Sequence, residues 1–477
     1  MSQKIIETEI CVIGAGSGGL SVASGTAQLG MDTVLIEASE MGGDCLNTGC
    51  VPSKALLAAG KRAQAHRKND ISGVAAHEPE IDYSAVKDHV FDVIGTIAPH
   101  DSQERFESLG VHVIREFGEF IDKNTVKAGD HIIKAKKFVI STGSRAFVPP
   151  IKGIDESKVF TNENIFELRE KPEHLLVIGG GPIGLEMAQA HRRLGCEVSV
   201  FDMGGILPRD DQKNVQVVRE ALIKEGINLY ENFAVSEIKH DKISHSIIGT
   251  HDGKDATIKG SHILVAAGRS PNIDKIGLDK ANIKFDRRGV TVNAKLQSSQ
   301  KHIYAIGDIA GGPQFTHVAG YHAGLLIKQI CFKMPAKVDY KALPWVTYVD
   351  PELAQVGLTE DAARAEHGDS IKVVEWHFNE NDRAIAEKTT AGQARVVTTK
   401  KGLVLGASIV GPSAGELISM WGLAISEGLK ISAITSTIAA YPTLSEINKG
   451  AAGSYYTPSL FSDKTRKIVR FIQRLPF

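Results

Sequence analysis

Residues 9–37, EICVIGAGSGGLSVASGTAQLGMDTVLIE, read as an apolar strand, a glycine turn, a helix of small residues and a second apolar strand. The turn spaces its glycines as Gly14-x-Gly16-x-x-Gly19, and Glu37 closes the second strand 23 positions after Gly14. In this spacing the first glycine makes the tight turn, the second lets backbone approach a pyrophosphate, and the third lets helix pack on strand. The helix N-terminus presents free N–H groups and a positive dipole end to phosphate. An acidic residue after the second strand accepts hydrogen bonds from ribose hydroxyls. The same grammar returns at 174–202, HLLVIGGGPIGLEMAQAHRRLGCEVSVFD, with Gly179, Gly181, Gly184 and, again 23 positions after the first glycine, Asp202. One such turn is a weak signal, because a tight strand–helix turn can mimic it. Two with equal spacing and correct flanking strands point to two dinucleotide sites.

The rest of the chain fits around these units. HIIKAKKFVISTGSR (131–145) and SHILVAAGRSPN (261–272) each read as a strand ending in a glycine turn, and YAIGD (304–308) follows. From about Leu343 apolar and polar residues alternate, as in an antiparallel sheet, and helical periodicity returns in 414–429. The 477 residues suit about three domains. Lys plus Arg number 55 against 56 Asp plus Glu, a balance that argues against a nucleic-acid binder. No run of 18 apolar residues occurs, and the polar N-terminal lead carries no apolar export segment, so a cytoplasmic protein is expected.

Five cysteines are present, and two of them, Cys45 and Cys50, lie together in MGGDCLNTGCVPSKALLAAG. Five residues apart on a regular helix, their Cα atoms would be about 8.6 Å apart, beyond the roughly 7 Å limit of a disulfide. A bond between them requires irregular backbone, which Gly49 and Pro52 permit. A helix N-terminus also favours thiolate, and Lys54 follows one turn after Cys50. Two unlinked core cysteines and half a zinc site are the alternatives. The second lacks a nearby Cys/His pair, and no resident metal is expected. Cys11, Cys196 and Cys331 read as passive thiols. Two dinucleotides beside a dithiol imply an electron path from nicotinamide through flavin to sulfur.

The two fingerprints, GGDCLNTGCVPSK, STGS, AAGRSPN, YAIGD and PTLSE together resemble the class I flavoprotein disulfide reductases, over about residues 5–455. The resemblance implies an α/β chain with two Rossmann-like domains, for FAD and NAD, and a C-terminal α+β dimerisation domain. The implied divisions are 1–150 and 271–342 for FAD, 151–270 for NAD, 343–455 for the interface, and 456–477 as an extension. By motif position, Gly14, Gly16, Gly19 and Glu37 bind the ADP half of FAD, and Asp308 meets its ribityl chain. Gly43, Gly118, Thr142, Gly143 and Gly268 are further cofactor-binding positions. Gly179, Gly181, Gly184 and Asp202 bind the nicotinamide dinucleotide. Lys54 sits by the flavin ring and pairs with Glu186. Cys50 is the thiol next to flavin and Cys45 the interchange thiol facing substrate. An acidic Asp202 favours NAD over NADP. A homodimer acting on a lipoyl-type dithiol or disulfide is the implied assembly and substrate.

Two features depart from the pattern. The family's dithiol enzymes carry His-Pro-x-x-x-Glu near the C-terminus, the His acting as acid–base and the Glu orienting it. Here the run is Tyr441-Pro442-Thr443-Leu444-Ser445-Glu446, and no histidine follows His377. His titrates near 6.5 and Tyr near 10, so Tyr441 is expected to be a poor base and small dithiols poor substrates. Tyrosine there resembles mercuric reductase, which suggests a metal-ion reductase as the alternative. That family's C-terminal cysteine pair is missing, since no cysteine follows Cys331. A non-catalytic flavin-binding protein is the reading from another class, and the intact Cys45, Cys50, Lys54 and Glu186 set speaks against it. The second departure is the tail, SDKTRKIVRFIQRLPF (462–477), a basic amphipathic helix. It is expected to dock on the dimer with a solvated basic face; contact with a membrane surface is the other reading.

Overall fold

The computed structural model describes residues 4–68, 71–242 and 244–476. The polar lead Met1–Gln3 and the last residue of the tail, Phe477, lie outside the described residues. The first unit opens with β1 (Lys4–Ile13), α1 (Ser17–Gln28) and β2 (Thr33–Ile36). β1 is exposed over its first residues and buried over its last four, where it lies between parallel neighbours. Strands covered on both faces need continuous apolar runs, which explains why TVLI of β2 is wholly buried.

Around β1 the sheet runs β3 (Val111–Ile114), β2, β1, β6 (His131–Ile140), all parallel. β4 (Gly118–Asp122) and β5 (Thr125–Ala128) form an antiparallel meander into β6. Ile303–Ala305 returns from far along the chain to pair in parallel with the end of β6. The second unit repeats this order. Asn228–Tyr230, Glu197–Phe201, His174–Ile178 and His262–Val265 form a four-stranded parallel sheet. Here the meander, 233–260, stands as a separate three-stranded sheet. The C-terminal part is a five-stranded antiparallel sheet, in the order 344–347, 352–357, 404–411, 393–399, 371–377. The helices Ala414–Leu417 and Ser419–Ser426 pack Leu417, Trp421 and Ile425 onto it. The antiparallel sheet expected after Leu343 and the helical stretch at 414–429 are thus both seen.

Two helix contacts position the chemistry. α1 lies against the helix Thr316–Cys331, and a Cβ at Gly25 would fall 2.4 Å from Ile327 Cδ1. Small residues therefore set how near that helix comes. α3 (Cys50–Arg67), which follows the short α2 (Gly43–Asn47), lies equally close to the helix Pro182–Arg193 of the second unit. A Cβ at Gly60 would meet Ala190 O at 3.2 Å. Buried charge joins the parts as well. Arg193 pairs with Glu225 at 2.6 Å and Asp350 at 3.0 Å. Arg395 pairs with Asp211 at 3.0 Å and also meets Glu360 and Glu375.

Candidate active site

The two glycine turns are superimposable in their details. Gly16 and Gly181 share φ −78° and ψ −179° as N-caps of their helices. Gly14 and Gly179 sit at φ +104° and +119°, in the left-handed half of backbone space that favours glycine. A Cβ on Gly19 would fall 1.9 Å from Gly14 O, and one on Gly184 would fall 1.9 Å from Gly179 O. At Gly16 and Gly181 a Cβ would meet nothing within 4 Å, so it would fill open space above the helix N-terminus. The acidic residues match too. Glu37 accepts from Ala15 N at 2.6 Å and Ser39 N at 2.7 Å. Asp202 accepts from Gly180 N at 2.7 Å and Gly204 N at 2.9 Å. These carboxylates fasten each turn to the end of the second strand and keep lone pairs for hydroxyl donors. Open cradle, helix N-terminus and carboxylate together fit an adenine dinucleotide twice over.

The cysteine segment is laid directly on the first turn. Gly42 N donates to Ala15 O at 3.0 Å, and a Cβ on Gly43 would fall 2.8 Å from Gly16 Cα. Cys45 lies on α2 and Cys50 is the first residue of α3, with the chain breaking its helix at Thr48–Gly49. This is the irregular backbone the pair requires. Both cysteines are free thiols, and each shifts the titration of the other. Cys50 is exposed, and its Sγ lies 3.2 Å from Thr316 Oγ1. Thr316 is the first residue of its own helix, and Ser17, first residue of α1, reaches Cys45. Three helix N-termini therefore converge on the sulfurs, each favouring negative charge.

The thiols respond unequally. Cys50 is pushed down to about 6, first by the hydrogen bond from Cys45, then by Thr316 and the Lys54 ammonium, against the cost of burial. Cys45 is held well above the usual thiol range, first by its hydrogen bond to Cys50 and then by burial. Lys54 Nζ donates to Glu186 Oε2 at 2.8 Å and lies 4.5 Å from the centre of the Tyr348 ring. Glu186, 6% exposed at its side chain, also accepts from Tyr348 N at 3.0 Å.

Asp308 is the second residue of a short turn of 3-10 helix, Gly307–Ala310, where burial raises its carboxyl; Ser144 donates to it and Arg269 lies 3.7 Å away. Arg269 also donates to Ser144 Oγ at 2.7 Å and pairs with Asp44 at 3.2 Å. Asn162 Nδ2 joins Asp44 Oδ1 at 3.0 Å to Thr48 O at 3.1 Å. The segment carrying both cysteines is thereby held by two distant loops. Thr142 Oγ1 donates to Asn272 O at 3.0 Å, and Gly143 and Gly268 sit at φ +68° and +124° with open space at their Cβ positions. Gly118 is buried, and a Cβ there would press on Ile13 and Ile36 at 3.2 and 3.3 Å.

Tyr441 and Glu446 stand elsewhere. Tyr441 is 71% exposed and its hydroxyl donates to Asp382 Oδ2 at 2.7 Å. That carboxylate raises the phenol. Glu446 accepts from Thr443 N at 3.4 Å. Within one chain both belong to the surface of the C-terminal domain. Sequence reading missed Thr316, Asp44, Ser144, Arg269, Asn162, Tyr348 and Asp382. Arg269 and Ser144 lie inside quoted motifs, so a polar residue beside a glycine turn was the available signal; Thr316 and Asp382 carry none.

Two like nucleotide cradles with a cysteine pair laid on the first define a redox protein that combines a flavin with a pyridine nucleotide. The chain belongs to the pyridine nucleotide-disulphide oxidoreductase family, whose model matches residues 8–323, with that family's dimerisation domain at 343–452. It is 34% identical to a dihydrolipoyl dehydrogenase of Geobacillus stearothermophilus, covering 94% of this chain and 96% of that one. It is 31% identical to a mercuric reductase of Lysinibacillus sphaericus, over 93% and 82%. Among solved structures it is similar to the HOCl-induced flavoprotein disulfide reductase RclA from Escherichia coli, at TM-score 0.84 and 26% identity, over 93% and 99%. The chain is an FAD-dependent, NAD(P)H-dependent oxidoreductase, and its dimerisation domain supports a homodimer. Among the described residues no helix is long and apolar enough to cross a membrane.

Proposed function

We propose that this enzyme moves two electrons between NAD(H) and a dithiol or disulfide substrate through Cys45 and Cys50. The observation that carries this reading is the free Cys45–Cys50 pair laid on the first glycine turn, with Cys50 at the N-terminus of α3 and its Sγ 3.2 Å from Thr316 Oγ1. Bound FAD supplies the two-electron exchange between nicotinamide and sulfur. Gly14, Gly16, Gly19, Glu37 and Asp308 hold FAD, with Gly43, Gly118, Thr142, Gly143 and Gly268 near it. Gly179, Gly181, Gly184 and Asp202 hold the nicotinamide dinucleotide. The Asp202 carboxylate suits a free 2′-hydroxyl and repels a 2′-phosphate, which supports NAD.

In the reduced pair Cys50 is the thiolate and Cys45 carries the proton. Transfer of that proton from Cys45 to Cys50 makes Cys45 the nucleophile. Its sulfur attacks one substrate sulfur and expels the other as a thiolate, forming a mixed disulfide. Cys50 sulfur then attacks Cys45 sulfur, releases the second substrate thiolate and closes the Cys45–Cys50 bond. Two electrons have passed to substrate, and the two thiolates take their protons from Cys50 and from water. Lys54, fixed by Glu186, supports negative charge on Cys50. Tyr441, its hydroxyl committed to Asp382, is a weak proton acceptor for the reverse reaction.

Tyr441 also favours a second reading, reduction of a soft metal ion held between the two sulfurs, which needs no acid–base group. Parallel assays with dihydrolipoamide plus NAD, lipoamide plus NADH, and mercuric ion with excess thiol plus NADH separate the two. Turnover with lipoamide substrates supports the headline; turnover with mercuric ion alone replaces it with the second reading.

A further inference from the structure

The helix Asp463–Ile472 and the turn after it lie beyond both family regions, which end at residue 452. Ser462 caps the helix, accepting from Thr465 N at 3.2 Å. None of its residues is buried in the chain. On a period of 3.6, Ile468, Phe471 and Ile472 fall within an arc of about 100°, which Lys464 of the first turn shares, and Arg466, Lys467 and Arg470 occupy the facing arc, with Arg474 and Leu475 in the turn that follows. The apolar side chains stay exposed, from Ile468 at 47% to Phe471 at 65%, and Phe461 just before the helix is at 63%. Five cations against the single Asp463 give the tail a net charge of +4, in a chain of net −1.

We infer that this helix docks the enzyme on an anionic lipid surface. Its apolar arc is sized to enter the boundary between headgroups and acyl chains, and its basic arc faces the headgroup phosphates. Charge argues against a second copy of the tail as the occupant. A two-fold contact would set five cations against five. The same charge is drawn to an anionic bilayer. The helix is too short to span one, so the attachment is peripheral and reversible by salt.

The test is cosedimentation of the full-length FAD-loaded enzyme with vesicles of phosphatidylcholine alone and of phosphatidylcholine with phosphatidylglycerol. The expected result is binding to the second only, released as salt rises. Arg466→Glu/Arg470→Glu/Arg474→Glu is expected to weaken binding by about a hundredfold or more, and Phe471→Ser to weaken it while leaving charge intact. Both variants keep the wild-type flavin spectrum and dimer mass. Failure of the wild-type enzyme to bind anionic vesicles overturns the inference, as does unchanged binding by both variants. Dissociation of either variant into monomers also overturns it, because a second copy is then the occupant.

Discussion

Tyr441 holds its hydroxyl 2.7 Å from Asp382 Oδ2, at the position where dithiol oxidases of this family resemblance keep a histidine. The carboxylate stabilises the protonated phenol and pushes its titration further from neutrality. General acid–base groups contribute about 10²–10⁴ in rate when their pKa is matched to the medium. Tyr441→His is therefore expected to raise dihydrolipoamide oxidation at neutral pH by about tenfold or more, measured as NAD reduction. A fall in that rate contradicts the role given to Tyr441.

Cys45, Thr316 and the Lys54 ammonium push the Cys50 thiol down to about 6, so thiolate predominates above that value. In the NADH-reduced enzyme, alkylation by iodoacetamide at Cys50 is expected to rise as pH passes upward through about 6 and then level off. Thr316→Val removes a hydrogen bond that favours the thiolate and moves this midpoint upward. Peptide mapping of the labelled protein checks both; a midpoint near 9, or labelling of Cys45 first, contradicts the assignment.

Lys54 and Glu186 form an ion pair at 2.8 Å. Removing the cation leaves a nearly buried carboxylate that still accepts from Tyr348 N. Lys54 is 40% exposed at its side chain, so solvent screens part of the loss. Lys54→Met is expected to cost about 1–3 kcal/mol in denaturant unfolding, and to raise the Cys50 midpoint. Glu186→Gln, which keeps a neutral acceptor, costs less. Equal stability of all three proteins contradicts the pairing.

The two cradles offer a separable pair of variants. A methyl at Gly19 or Gly184 meets a carbonyl oxygen at 1.9 Å. Gly19→Ala is expected to lose flavin on purification. Gly184→Ala keeps flavin and loses saturation by NADH at ordinary concentrations. Flavin per protomer and the KM for NADH are the readouts; the reverse pattern contradicts the assignment of the cradles.

Much of this was legible because glycine spacing encodes backbone sterics that survive any tertiary detail. Gly14 to Glu37 and Gly179 to Asp202 carry strand, turn, helix and carboxylate in a single string. Cys45 and Cys50 were legible for the same local reason, and Lys54 with Glu186 through motif position. Thr316 was not, because its meeting with Cys50 depends on how near α1 and the helix Thr316–Cys331 approach, a distance set by Gly25 and Ile327 far from the sulfur. Asp382 was not, because 59 residues separate it from Tyr441. Within one chain the tail helix stays exposed.

The central claim is that electrons pass through Cys45 and Cys50, with Cys50 thiolate against the flavin. Anaerobic titration of the FAD-loaded enzyme with NADH, followed by absorbance, tests it most directly. The account predicts a long-wavelength charge-transfer band at two-electron reduction, lost in Cys50→Ser. Bleaching of the flavin without that band in the wild-type enzyme would contradict it and take the cysteines out of the path.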